Sequence, residues 1–194
     1  RILGEMGPGH QSSLWVKDAL ERCGVKTGIG GNFTAERWNR LAGTGGEGGL
    51  LYEAVTLEQL GKQAEVSLAV ASSTAPSLLD AHVVGPTHVA CMGTDTKGKQ
   101  EVEASLLARA AVFTDEIAQS ISIGEAQHAV AAGLIDAAQI TEIGAVINGD
   151  HPGRTADTDV TLFDGTGVGL QDLAVAVSVV ERAVAAGVAV DIDF

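Results

Sequence analysis

The sequence predicts an α/β protein with a Rossmann-like, doubly wound, mostly parallel sheet flanked by helices, followed by a C-terminal helix and an edge strand. Three observations carry that prediction. Short apolar runs alternate with stretches of helical spacing through the first half of the chain. Two of the runs, "AEVSLAVAS" and "THVACMG", are apolar almost throughout, as strands covered on both faces of a parallel sheet must be. The opening run leads through a Gly-Pro-Gly turn directly into a helical stretch, which is how a βαβ unit begins.

Taken in order, Ile2 to Met6 reads as the first strand and Ser13 to Arg22 as a helix with Leu14, Ala19 and Leu20 on one side. Val25 to Ile29 gives a second, weaker strand, and Thr34 to Leu41 a helix capped by Thr34. A glycine-rich loop from Gly43 to Gly49 precedes a strand at Leu50 to Ala54 and a helix from Thr56 to Gln63, with Thr56 as its cap. After the two buried runs, "EVEASLLARAAVF" and "GEAQHAVAAGLID" have helical character around "AAVFTD", a further strand, and "AAQITEIGAVING" reads as another helix. "DVTLFDGTG" is a strand ending in a turn. The long helix that follows, Leu170 to Ala186, carries Leu173, Val177, Val180 and Val184 as a stripe. The last piece, "VAVDIDF", alternates apolar and acidic residues as an edge strand does, with no obvious partner. The expected division is 1–165 for the sheet domain and 166–194 for the closing helix and strand.

The 194 residues are 45% hydrophobic, enough to bury a core. The net charge of −13 argues against nucleic acid or an anionic membrane as partner, since both would be repelled. Cys23 and Cys91 have neither disulfide-framework nor zinc spacing. The most apolar segment, Val168 to Val188, is broken by Asp172, Glu181 and Arg182, and no signal-peptide pattern opens the chain. A reduced, cytoplasmic setting is expected. The five histidines (His10, His82, His88, His128 and His151) show no metal-ligand spacing, so no metal is assigned.

The turn at Gly7-Pro8-Gly9-His10-Gln11-Ser12 offers the first chemistry. In dinucleotide-binding folds the first glycine makes the tight turn and the second lets a pyrophosphate approach the backbone at the helix N-terminus. Gly7 and Gly9 fit those places, with Ser12 as a small third residue. The acidic residue expected about 20 positions on, for the ribose, is missing from "GIGGNF", where Asn32 is a weak substitute. On the turn alone, a cofactor site and a plain structural turn stand side by side. No cation is placed for an extra phosphate, which favours NAD while leaving NADP open.

Four stretches in order, "LGEMGPGHQS", "SSTAPSLL", "MGTDTKGKQEV" and "TLFDGTGVGLQDLAVA", resemble the ornithine cyclodeaminase/mu-crystallin family over nearly the whole chain. The resemblance implies a dinucleotide held at residues 7–12, with Gln11 part of the family's variant of the turn. It implies that Ala71, Ser72 and Ser73 line the nicotinamide side and that Gly165 stands where relatives carry Ser or Gly near that ring. Asp95 matches the family's catalytic acid/base, and Lys99 the lysine that contacts the cofactor.

Chemically, a carboxylate just past a strand end can move a proton while hydride passes to or from a nicotinamide. Lys99 can offset charge on phosphates or on Asp95. The bland alternative for "GTDTKGKQ" is a polar turn with Asp95 bonded to its own backbone. Asp164 in "FDGTG" reads as a brace for the turn into the last helix. Arg154 is either an anion partner or a solvated loop residue.

By the same resemblance, the expected activity is that of an NAD(P)-dependent enzyme acting on small amino or imino acids. It would be a cyclodeaminase, a ketimine or pyrroline-carboxylate reductase, or an amino-acid dehydrogenase. The alternative is a non-catalytic nucleotide- or partner-binding module of mu-crystallin type. The resemblance also implies that family members carry, ahead of the glycine turn, a region on the order of a hundred residues long that forms the dimer and supplies basic side chains for the substrate carboxylate. The expectation is therefore the cofactor-binding portion of such a protein, completed by a homo-oligomer or by a partner chain supplying the other domain.

Overall fold

The computed structural model describes residues 2–6, 27–31, 51–157 and 159–192. Ten strands are present among them: β1 (Ile2–Met6), β2 (Thr27–Gly31), β3 (Leu51–Val55), β4 (Val66–Ala69), β5 (Thr74–Leu78), β6 (Thr87–Cys91), β7 (Gln100–Val102), β8 (Ala111–Thr114), β9 (Ile140–Glu142) and β10 (Val160–Asp164). The helices are α1 (Leu57–Gln63), α2 (Ala104–Arg109), α3 (Ile117–Ser120), α4 (Gln127–Ala131), α5 (Ile143–Ile147) and α6 (Gly169–Ala185), with short 3-10 turns at Asp80–His82 and Ala137–Gln139. Eight strands form one sheet in the order β3-β2-β1-β4-β6-β10-β8-β9, every neighbouring pair parallel, while β5 and β7 make a separate parallel pair. This is the Rossmann-like, doubly wound arrangement that the alternating pattern predicts.

Local chemistry explains several boundaries. Thr56 begins α1 through a reciprocal capping box: its hydroxyl accepts the Gln59 amide at 3.1 Å, and the Gln59 side chain accepts the Thr56 amide at 2.9 Å. Val89 and Cys91 of β6 and Leu162 of β10 are fully buried and pack with Leu60, Leu106 and Leu107 from the helices. A strand in the middle of a parallel sheet has no wet face, hence the unbroken apolar run.

Where the structure departs from the sequence reading, pairing is the cause. β2 lies two residues later than expected, because its register sets Thr27 against Ile2 and Gly31 against Met6. The helix expected from Glu101 onward starts later, since Gln100–Val102 pairs with β5. Within "AAQITEIGAVING", Ile140–Glu142 is a strand, drawn onto β8 with Ile140 beside Val112, and only Ile143–Ile147 is α-helical. The predicted stripe on α6 is exposed: Leu173, Val177, Val180 and Val184 are half or more accessible, and no residue of that helix is buried. "VAVDIDF" forms no strand over 188–192. A strand exists only where a neighbour offers its backbone, and Val188, Val190 and Ile192 stand exposed instead. The expected helices at 13–22 and 34–41 and the loop at 43–49 lie outside the described residues. Among the described residues, no helix is long and apolar enough to cross a membrane.

Candidate functional site

The order of the sheet reverses between β1 and β4, and in open α/β sheets the ligand crevice lies outside the carboxyl ends of the strands at such a point. Three backbone bonds carry the strands one step further there: Val70 N to Met6 O at 2.8 Å, Met92 N to Ala69 O at 2.8 Å, and Gly165 N to Cys91 O at 2.9 Å. The segments following β4, β6 and β10 are thereby brought together: Ala71-Ser72-Ser73, the loop from Gly93 to Lys99, and Gly165. Gly7, Pro8, Gly9, His10, Gln11, Ser12 and Asn32 lie outside the described residues.

In the loop after β6, the Lys99 ammonium donates to Asp95 Oδ1 at 2.6 Å and the Thr96 hydroxyl donates to the same oxygen at 3.0 Å. The Lys99 bond, then that from Thr96, holds the Asp95 carboxyl below the usual range; contact with its own backbone is the smallest influence. Asp95 is exposed while the Lys99 stem is mostly covered, its side chain 23% accessible. Lys99 thus neutralises Asp95 directly. The far end of the loop is pinned to α4: the Gln127 side chain accepts from the Gly98 amide at 2.8 Å and donates to Gly124 O at 2.8 Å, and His128 Nε2 lies 3.0 Å from Lys99 O.

Behind this loop lie three buried carboxyl groups. Glu101 uses both oxygens on backbone amides from two different loops, Oε1 accepting from Ala71 N and Oε2 from Gly93 N at 2.8 Å. Glu125 Oε1 accepts from Glu101 N at 2.8 Å and Val102 N at 2.7 Å, and its Oε2 pairs with the Thr94 hydroxyl at 2.5 Å. Asp164 Oδ2 accepts from Ser120 Oγ at 2.6 Å and Glu125 N at 2.8 Å, whereas its Oδ1 is buried with no hydrogen-bond partner among the described residues. Burial pushes Glu101 and Glu125 up to about 7 and Asp164 to about 6, against the pull of those hydrogen bonds.

The brace expected of Asp164 is supplied by a different residue. Asp115 accepts from Thr166 N at 3.0 Å, Thr166 Oγ1 at 2.6 Å and Gly167 N at 2.8 Å, holding the turn into α6. Burial works to raise the Asp115 carboxyl, but the Thr166 and Gly167 bonds outweigh it and leave it lowered. Asp164 instead ties β10 to α3 and to the start of the 124–126 turn. Arg154 stays away from the crevice, donating to the carbonyls of Ala156 and Asp157 in its own loop at 3.1 Å each.

Gly165 lies close against Met92 and Phe163: a Cβ there would sit 2.6 Å from Met92 Sδ and 3.2 Å from the Phe163 ring, so a side chain would displace the flexible end of Met92. The exposed Ser72, the part-exposed Ser73 and Met92, 47% accessible, give this end of the sheet a mixed polar and apolar lining. Such a surface suits an amide-bearing aromatic ring flanked by polar groups. Glu101, Glu125 and Gln127 carry no motif that marks them in the sequence beyond the inclusion of Glu101 in "GKQEV".

The fold and this crevice define an α/β domain of the nucleotide-binding class. The chain belongs to the ornithine cyclodeaminase/mu-crystallin family, whose family model matches residues 1–187. It is 54% identical over 193 residues to the iminosuccinate reductase of Paracoccus denitrificans, covering 100% of this chain and 60% of that protein. The crystal structure of that reductase in complex with NAD+ superposes with a TM-score of 0.91. An archaeal alanine dehydrogenase dimer with bound NAD, 28% identical, also gives 0.91 and is covered to 60% of its chain. The chain therefore spans three fifths of the length of these relatives.

Proposed function

We propose that this chain is the nucleotide-binding portion of an NAD-dependent reductase that converts a small imino acid of the iminosuccinate type to an amino acid. The observation that carries the reading is the 54% identity to iminosuccinate reductase over 193 residues, 100% of this chain. The same identity favours reduction over the ammonia-eliminating chemistry of a cyclodeaminase and over a non-catalytic binding role.

In this reading Ala71, Ser72, Ser73 and Gly165 border the nicotinamide, and residues 7–12, with Asn32, hold the rest of the dinucleotide. The cofactor supplies the hydride. Asp95, kept ionised by Lys99, faces the substrate nitrogen: an anion there stabilises the protonated imine, which accepts hydride far better than the neutral form. The same carboxylate accepts a proton when the reaction runs from amine to imine. Residues 166–194, with the exposed face of α6, belong to the contact with the substrate-binding region or with a second copy, and the setting is cytoplasmic.

Titration with NADH and NADPH, followed by the fluorescence of the reduced cofactor, tests the reading. Binding of NADH in preference to NADPH is expected, and in the complete protein, with its substrate-binding region, NADH is consumed when oxaloacetate and ammonia supply the imine. Absence of binding by both cofactors would refute it.

A further inference from the structure

We propose that Glu101 is a positioning residue whose carboxylate clamps the loops after β4 and β6 at a fixed separation, setting the width of the crevice between Ala71–Ser73 and Asp95. The clamp rests on geometry. Glu101 is 1% exposed, and its two oxygens accept from Ala71 N and Gly93 N, donors belonging to different crossovers of the sheet. Gly93 has no room for a side chain, because a Cβ would lie 2.6 Å from Glu101 Oε1. Ala71 opens the segment that borders the crevice, and Gly93 lies two residues before Asp95. Glu101 is itself anchored, since its own amide donates to Glu125 Oε1.

Only an ionised carboxylate can make both bonds. An amide or a protonated acid offers one acceptor and turns a donor toward the second N–H, so one loop is released. Glu125 differs: both its backbone partners fall on Oε1, and its Oε2 faces a hydroxyl that can accept as well as donate. Glu125→Gln can keep every bond, whereas Glu101→Gln cannot.

The inference rests on the cofactor reading above, and the two are separable by experiment. In the full chain, NADH affinity by fluorescence and amide exchange at Ala71 and Gly93 are compared for the parent, Glu101→Gln and Glu125→Gln. Glu101→Gln is expected to weaken NADH by about tenfold and to speed exchange at Ala71 or Gly93, while Glu125→Gln stays within about twofold of the parent. Glu101→Gln behaving as Glu125→Gln in both measurements would overturn the clamp. Should Glu101→Gln fail to fold, the parent decides alone: Ala71 and Gly93 must exchange far more slowly than the exposed Ser72, and equal rates defeat the proposal. A parent that binds no NADH sinks the cofactor reading, while the exchange data still judge the clamp.

Discussion

Replacement of Glu125 by glutamine is expected to stabilise the protein at alkaline pH. Burial raises this carboxyl from its ordinary 4.5 to about 7, so the folded protein binds its proton more tightly than the unfolded chain does. A group shifted in that direction contributes stability that is complete below about 4.5 and lost as pH rises through about 7. At roughly 1.4 kcal/mol for each pH unit, the gap between the two values amounts to about 3 kcal/mol lost by pH 8. Glutamine carries no charge, and the Glu125 contacts accommodate it: Oε1 still accepts from the amides of Glu101 and Val102, and Nε2 can donate to Thr94 Oγ1. The variant escapes the cost of ionisation, so its melting temperature at pH 8 should exceed that of the parent by about 5–10 °C for a chain of this size, and the two curves should converge near pH 5. Thermal melts followed by circular dichroism between pH 5 and pH 8 provide the assay. His88, shifted the opposite way by its own burial and by Arg154, is common to both proteins and cancels, whereas Glu101, whose charge helps to raise Glu125, ionises more easily beside a neutral glutamine and adds to the difference in the same sense. A variant less stable at pH 8, or one whose melting temperature falls with pH as steeply as the parent's, would refute the reasoning.

Asp95→Asn should bind NADH with nearly unchanged affinity but reduce turnover of the complete enzyme by about a hundredfold or more, measured as steady-state NADH consumption. Thr56→Ala removes the hydroxyl half of the α1 capping box and should cost about 1 kcal/mol in urea unfolding, with an unchanged slope. The Cys91 thiol is fully buried and pushed upward by that burial, so it should resist a thiol reagent in the native state and react only after denaturation.

What was legible in the sequence was whatever local chemistry decides. Thr56 three residues before Gln59 announces the start of α1, and the unbroken apolar run of "THVAC" announces a strand covered on both faces. The i,i+4 spacing of Asp95 and Lys99 placed their charges within reach of each other, and the structure joins them at 2.6 Å. What depends on partners far along the chain was not legible. Ile140–Glu142 is a strand only because β8 has a free edge, and three residues are too few to show a period. Glu101 and Glu125 look like surface acids in "KQEV" and "GEAQ", and nothing adjacent to them reveals that amides from 8 to 30 residues away surround their oxygens. The brace read for Asp164 falls to Asp115 for the same reason: both lie at the carboxyl ends of neighbouring strands, and only the fold determines which one faces the 166–167 amides.

The buried carboxyls also show how the end of a parallel sheet resolves a problem inherent in its design. Amides that leave the strands lose their ladder partners just where the loops diverge, and buried N–H groups without acceptors are costly. Asp164, Glu125 and Glu101 meet that need in sequence: Asp164 takes the Glu125 amide, Glu125 takes the Glu101 amide, and Glu101 takes those of Ala71 and Gly93. Three like charges so close cannot all be retained in a dry interior, so protons must be kept by the members that can use them. Glu101 cannot, because each of its oxygens faces an N–H. Glu125 can, because a proton on Oε2 has the Thr94 hydroxyl as acceptor. Burial still raises Glu101 to about 7, so the ionised form that holds both loops flanking Asp95 gains as pH rises through that value.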